Sequence, residues 1–170
     1  MKFKALAVIF LLAVSALPLA FAGTFKSTEG RFSADFLGTP TVDTRVVKTA
    51  KNEDVTITNF FAMRDDKTLG ENIDYTDFPQ PLTTQQLIDT AKAAFSNMTL
   101  DGVGRTESQG RTWILAAGHD DNLLYFYATT CVGTRLYEVT IAVPMKDEEK
   151  ARAGENEAEA FLGSVVITEK

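Results

Sequence analysis

The only histidine of the chain lies beside two aspartates in the segment GHDDN, where His119 precedes Asp120 and Asp121. Imidazole and carboxylate groups coordinate divalent metal ions, and a carboxylate can also orient an imidazole as a base. However, glycine, aspartate and asparagine are also the residues that hairpin turns select. The segment is interpreted first as a turn between two strands, and a ligand or metal site is the alternative.

Two tyrosines and the only cysteine follow in the segment LLYFYATTCV. In an extended chain, Tyr125 and Tyr127 point to one face of a sheet, while Leu124 and Phe126 point to the other. Tyrosine hydroxyls are polar groups that can hold a small ligand, so the tyrosine face and the GHDDN turn together form the candidate ligand site. Cys131 has no closely flanking Lys, Arg or His, and it is predicted to be a small buried residue of the strand.

Catalytic motifs are scarce along the chain. One histidine and one cysteine do not supply the usual zinc ligand sets, and no G-x-S-x-G elbow is present. The acidic groups Asp65-Asp66 and Asp74 with Asp77 lack the spacing of a calcium-binding loop. The sequence therefore predicts no catalytic residue, no metal centre and no cofactor. It leaves open whether two distant carboxylates meet across a sheet.

The first 22 residues have the pattern of a secretory signal peptide. Lys2 and Lys4 precede an apolar run, and Ala20-Phe21-Ala22 provides a cleavage site before Gly23. The apolar run is shorter than a comfortable membrane span, and no cysteine follows it to carry a lipid. We therefore expect a periplasmic or secreted protein whose mature chain has no membrane span.

Cleavage would leave one domain, residues 23–170. This length is typical of one domain with a single hydrophobic core. The core must be stable without an internal disulfide, because the chain has only one cysteine. The signal peptide would take two lysines with it, so the formal net charge would change from −6 to −8. An acidic chain without a basic cluster is a poor partner for nucleic acid.

The hydrophobic period is close to two along most of the chain. Alternating runs predict strands in RFSADF, TVDTRVVKTA, VTITNFFAMR and NIDYTDF, and later in VGRTESQ, RTWILAA, LLYFYATTCV and RLYEVTIAVP. The segment TTQQLIDTAKAAFSNM has a helical period, and Thr83 and Gln86 form a capping-box pattern at its start. A second, polar helix is predicted between Asp147 and Phe161, and Val165 and Ile167 are predicted to pack after it.

This order of elements predicts an α+β fold in which helices flank a mainly antiparallel sheet, an α/β/α sandwich. A strand that is apolar on both faces belongs inside a sheet covered on both sides. Leu124 and Phe126 should therefore face one layer, and Tyr125 and Tyr127 the other.

The segment FKSTEGRFSADFLGTP resembles the opening of exported bacterial proteins of the PsbP-like, Mog1-like class. That class has an aromatic residue, a Ser-x-x-Gly-x-Phe step and a Phe-Pro-Gly-x-Pro turn, matched here by Phe25, Ser27, Gly30, Phe32, Phe36, Gly38 and Pro40. Leu37 stands where a proline is usual. RLYEVTIAVP and EAFLGSV are similar to the late strand and the terminal helix of the class.

The resemblance implies an antiparallel sheet between helices and a role as an accessory or binding protein on a larger assembly, without a catalytic motif to carry over. The leading hypothesis is a non-enzymatic exported domain that binds another protein of the cell envelope. The alternative is a small-molecule or metal-binding module that uses Tyr125, Tyr127 and the turn His119-Asp120-Asp121. The oligomeric state is left open.

Overall fold

The computed structural model describes residues 23–49, 52–64, 69–145 and 148–168. The predicted signal peptide and the pair Asp65-Asp66 lie outside these ranges. Within them the chain forms β1 (Phe25–Ser27), β2 (Phe32–Ala34), β3 (Thr41–Lys48), β4 (Asp54–Met63), β5 (Gly70–Asp77), α1 (Thr84–Ala94), β6 (Thr99–Ser108), β7 (Arg111–His119), β8 (Leu123–Val132), β9 (Arg135–Pro144), α2 (Glu148–Ser164) and β10 (Val166–Ile167).

Seven of the strands form one antiparallel sheet in the order β3-β4-β5-β9-β8-β7-β6. The strands from β6 to β9 pair consecutively and form an antiparallel meander. β5 does not pair with β6, the next strand along the chain, but with β9. The pairing of β5 with β9 extends from Gly70 opposite Ala142 to Asp77 opposite Arg135. The predicted strands and the α+β class are confirmed.

β1, β2 and β10 form a separate small sheet, which the sequence did not predict. Ser27 Oγ accepts the backbone N–H of Gly30 at 2.9 Å, and this closes the turn between β1 and β2. The buried Tyr137 hydroxyl of β9 donates to the Gly30 carbonyl at 2.8 Å. A Cβ at Gly30 would lie 2.7 Å from the Phe32 ring, so the Ser-x-x-Gly-x-Phe step requires a glycine here. The Tyr137 hydrogen bond to the Gly30 carbonyl joins the small sheet to the large one.

The two faces of the large sheet carry separate apolar clusters, as the alternation in β8 predicts. Leu124 and Phe126 pack with the cluster that includes α2 and the small sheet, whereas Tyr125 and Tyr127 pack with the cluster under α1. β8 lies inside the sheet between β9 and β7. The opposite orientation of its leucine-phenylalanine and tyrosine pairs is therefore confirmed.

Both predicted helices are present, and they differ from the prediction only in details of burial and length. At α1, Thr83 and Gln86 form the predicted capping box. Leu87, Ala91 and Phe95 are buried along this segment, whereas Ala94 is exposed. α2 runs to Ser164, past the predicted end at Phe161. Val165 and Ile167 are buried after it, as predicted.

Candidate functional site

The predicted turn after β7 is two residues shorter than the sequence suggested, because Gly118 and His119 belong to β7. His119 is the last residue of β7, paired in register with Leu124, and the turn itself begins at Asp120. His119 Nδ1 lies 2.9 Å from Oδ2 of Asp101, a β6 residue at an irregularity of the strand pairing. The histidine therefore has a carboxylate partner from the neighbouring strand, and not Asp120 or Asp121. Asp121 is exposed to solvent.

Asp120 organises the turn and holds one of the tyrosines. Its Oδ1 accepts the backbone N–H groups of Asn122 at 2.7 Å and Leu123 at 2.8 Å, and its Oδ2 accepts the Tyr125 hydroxyl at 3.0 Å. The backbone hydrogen bonds hold the pKa of Asp120 below its usual value. Burial, and then the Asp120 carboxylate, raise the pKa of Tyr125. This is the arrangement of an aspartate that fixes a hairpin turn.

Tyr127 points to the same face as Tyr125 but lies beneath α1. Its ring meets the ring of Phe95 edge-on, with centroids 6.3 Å apart, and its hydroxyl donates to Glu138 Oε1 at 2.5 Å. Burial raises the pKa of Tyr127 strongly. The two tyrosines thus hold different carboxylates, and ligand binding by them and the turn stays a prediction. Within the described ranges, no three His, Cys, Asp or Glu residues are arranged to hold a metal ion.

Cys131 is half-buried at the end of β8, not fully enclosed as expected. It packs at the margin of the apolar cluster under α1, and its Sγ lies 3.3 Å from the Gly133 carbonyl oxygen.

Two distant carboxylates do meet on the sheet. Asp74 of β5 and Glu138 of β9 are direct partners in the strand register, on the face that carries α1. Asn59 Nδ2 donates to Asp74 Oδ1 at 2.6 Å, and Asn72 Nδ2 donates to Asp74 Oδ2 at 3.0 Å. Asn59 also donates to the Asn72 side-chain oxygen. We call Asn59, Asn72, Asp74, Tyr127 and Glu138 the carboxylate–amide cluster.

The surroundings of the cluster raise the pKa of Glu138 above its usual value. Burial raises its pKa and the negative charge of Asp74 adds to this, while the Tyr127 hydroxyl and the positive charge of Arg45 act in the opposite direction. Both carboxylates accept hydrogen bonds from fixed protein donors, so the cluster links β4, β5, β8 and β9. Its hydrogen bonds tie the middle of the sheet together.

The sequence missed this cluster because its members come from four separate strands. Asp74 stood out only as one of several acidic residues, and Glu138 lies in an otherwise apolar run. Alternation places Asp74 between the buried Ile73 and Tyr75, and Glu138 between the buried Tyr137 and Val139, so both carboxylates fall on the less buried face. Only the pairing of β5 with β9 brings the two together.

The other distinctive feature is the edge strand β3. Side chains are exposed from Thr41 to Val46, and Val42 and Val46 are 57% and 65% exposed. β3 pairs with β4 on one side, and no strand of the described chain pairs with its other side. Val42 and Val46 are two strand positions from Thr44, so all three project from one face.

Comparison with protein-family profiles and with curated protein sequences finds no match. Among solved structures, the chain is similar to the solution structure of cyanobacterial PsbP (CyanoP) from Synechocystis sp. PCC 6803, with a TM-score of 0.59 and 9% sequence identity. The similarity covers 92% of this chain and 98% of that one. No helix of the described residues is long and apolar enough to cross a membrane. The resemblance seen in the sequence is confirmed at the level of the fold, which is PsbP-like.

Proposed function

We propose that the protein is an exported accessory domain that binds another protein and performs no catalysis of its own. The open edge of β3 is the observation that carries this proposal. A PsbP-like fold is consistent with an accessory or binding domain.

A sheet edge binds proteins because its outer backbone N–H and C=O groups lack partners. An extended segment of another chain can add itself as a further strand, and its backbone hydrogen bonds then supply affinity. β3 is eight residues long, which is ample for such pairing. Val42 and Val46 supply apolar contacts on one face, and Asp43 and Arg45 supply charges on the other. The expected partner therefore presents an extended segment with apolar residues at alternate positions.

Replacing both Val42 and Val46 with lysine is expected to weaken partner binding at least about tenfold. Charged side chains on an edge strand oppose the addition of another strand, and the apolar contacts are lost as well. The measurement is recovery of the partner with each variant from the source cells, followed by titration of the purified pair. Both valines are more than half exposed, so unfolding free energy should change by about 0.5 kcal/mol or less.

The matched control is Val103→Lys on β6, the strand at the opposite edge of the same sheet, where Val103 is 37% exposed. This control should bind the partner with unchanged affinity. Equal weakening by both sets of substitutions would count against the β3 surface, and full binding by the β3 variant would rule that surface out.

Export is a separate part of the proposal, supported by the signal-peptide pattern of residues 1–22. The protein recovered from its source is expected to have the intact mass of a chain that begins at Gly23. A mass that includes Met1 and the full apolar run, found in the cytoplasmic fraction, would contradict export.

A further inference from the structure

The two edges of the large sheet differ in their regularity. β3 pairs with β4 along its whole length, from Thr41 to Lys48, without a shift in register. β6, at the opposite edge, has an irregularity of register at Asp101 and contains Gly102 and Gly104. Irregularities of this kind protect a sheet edge from pairing with another chain, and glycine weakens a strand. β3 is therefore the edge that is better suited to a further strand.

No second layer of the fold restricts access to β3. Within the described ranges, the main contacts of α1 are with β6, β7 and β8, and those of α2 are with β2, β8 and β9. β3 packs extensively against β4 alone. A strand can therefore approach this edge without displacing either helix.

The sequence of β3 is complementary to itself when two copies run antiparallel. Residues that lie directly opposite each other in such a pair project from the same face. When Thr44 lies opposite Thr44 of a second copy, Asp43 of each chain lies opposite Arg45 of the other. Val42 lies opposite Val46 in the same register. Opposite charges and β-branched side chains are both favourable cross-strand pairs.

The charges select this register over its neighbours. Because opposite residues share a face, the two-fold axis of a symmetric antiparallel pair lies at a residue position. An axis at Asp43 would place two aspartates opposite each other, and an axis at Arg45 would place two arginines there, which is destabilising. An axis at Val42 or Val46 would shorten the ladder and leave the charges without opposite partners. Only the axis at Thr44 pairs every charge with its opposite.

We propose that a second copy of this chain pairs with β3 in the antiparallel register centred on Thr44, which forms a symmetric dimer with one continuous sheet. The inference rests on the same open edge as the proposed function, since β3 itself has the alternating apolar residues expected of a partner segment. One pair of strands is a small interface, so self-association is weak. A protein that binds this edge more tightly displaces the second copy. Self-pairing therefore shields the edge until such a partner is present.

Reversal of the charges tests this register. Asp43→Arg places arginine opposite arginine in the dimer, and Arg45→Asp places aspartate opposite aspartate. Each variant alone is expected to self-associate at least about tenfold more weakly than the unchanged chain. In an equal mixture of the two variants every arginine lies opposite an aspartate, so heterodimers should form with nearly the affinity of the unchanged chain. The double reversal in one chain should also restore self-association.

The measurement is sedimentation velocity of the full mature chain from about 1 μM to about 1 mM. Low ionic strength is used because salt screens exposed charges. Arg105→Asp, which reverses an exposed charge on β6, is the matched control and should leave self-association unchanged. Asp43 and Arg45 are exposed, so circular dichroism melting should show that all the variants are folded.

Three results would overturn self-pairing through β3. The unchanged chain could stay monomeric throughout the series, the mixture could associate no better than its components, or Arg105→Asp could weaken association as much as the β3 variants. None of these results bears on the binding of another protein at β3. That binding is tested separately, by recovery of the partner with the variant in which lysine replaces Val42 and Val46.

Discussion

Replacing Glu71 with glutamine is expected to stabilise the protein at pH 8 by about 3 kcal/mol and to leave its stability nearly unchanged at pH 4. Glu71 is 1% exposed, and its Oε2 accepts the Leu37 N–H at 2.8 Å. Burial raises its pKa from 4.5 to about 7, although the Leu37 hydrogen bond and the positive charge of Arg64 oppose the shift. A glutamine oxygen can accept the same N–H without a buried negative charge.

The sign follows from the protons bound in each state. Between pH 4.5 and about 7, Glu71 is ionised in the unfolded chain but still protonated in the folded one. The unfolded state then binds fewer protons, so the Glu71 contribution to stability, present in full below pH 4.5, is lost as the pH rises through about 7. Urea unfolding of both proteins from pH 4 to pH 8 measures this difference. A constant difference across that range would contradict the assignment.

Gly118→Ala is expected to destabilise the protein by about 3 kcal/mol, the upper end of the usual cost of overpacking. A Cβ atom at Gly118 would lie 2.5 Å from the Thr99 backbone oxygen and 2.5 Å from Cδ1 of Phe95. A ring can rotate aside, but the backbone oxygen belongs to β6, the strand paired with β7. Relief of the clash therefore requires β6 or α1 to move.

Gly104→Ala on the neighbouring strand β6 is the matched control. No atom lies within 4 Å of a Cβ at this position, so its effect should be about 0.5 kcal/mol or less. Denaturant unfolding of the two variants gives the comparison directly. If they unfold at the same denaturant concentration, close packing at Gly118 does not limit stability.

Gly154 also permits close packing, between α2 and the face of the large sheet opposite α1. A glycine inside a helix lowers the helix propensity of the segment. In the fold, a Cβ at Gly154 would lie 2.6 Å from Cγ1 of Val143. Because glycine has no Cβ atom, α2 can approach β9 closely at this position. A helical period alone does not show which position of a helix lies closest to a sheet, and this packing was therefore not predicted.

Local patterns predicted the elements well where burial follows a simple period. Alternation gave β8 its observed bounds and separated its two faces, and Thr83 with Gln86 marked the start of α1. Pairing between distant strands has no comparable local signal. The small sheet and the pairing of β5 with β9 depend on the whole chain, and so does the carboxylate–amide cluster that this pairing creates.

The predicted site residues show the same contrast between local structure, which the sequence indicates, and contacts between distant strands, which it does not. Their types fit a turn and a central strand, and the structure places Asp120 in the turn and Tyr127 in the strand. Tyr125 donates to Asp120 of the same hairpin, whereas the partners of His119 and Tyr127 come from other strands, Asp101 for His119 and Glu138 for Tyr127. The sequence also did not predict the exposure of β3, because its apolar and polar residues alternate like those of a strand with one buried face.

Site-specific photo-crosslinking at position 46 of β3 tests the proposed protein-binding role most directly. A photoreactive residue is placed at position 46 or, as a control, at position 103 of β6, in cells that naturally make the protein. We expect one defined crosslinked protein from position 46, lost when Val42 is also replaced with lysine, and none from position 103. Equal products from both positions, or none from position 46, would contradict binding through the β3 edge.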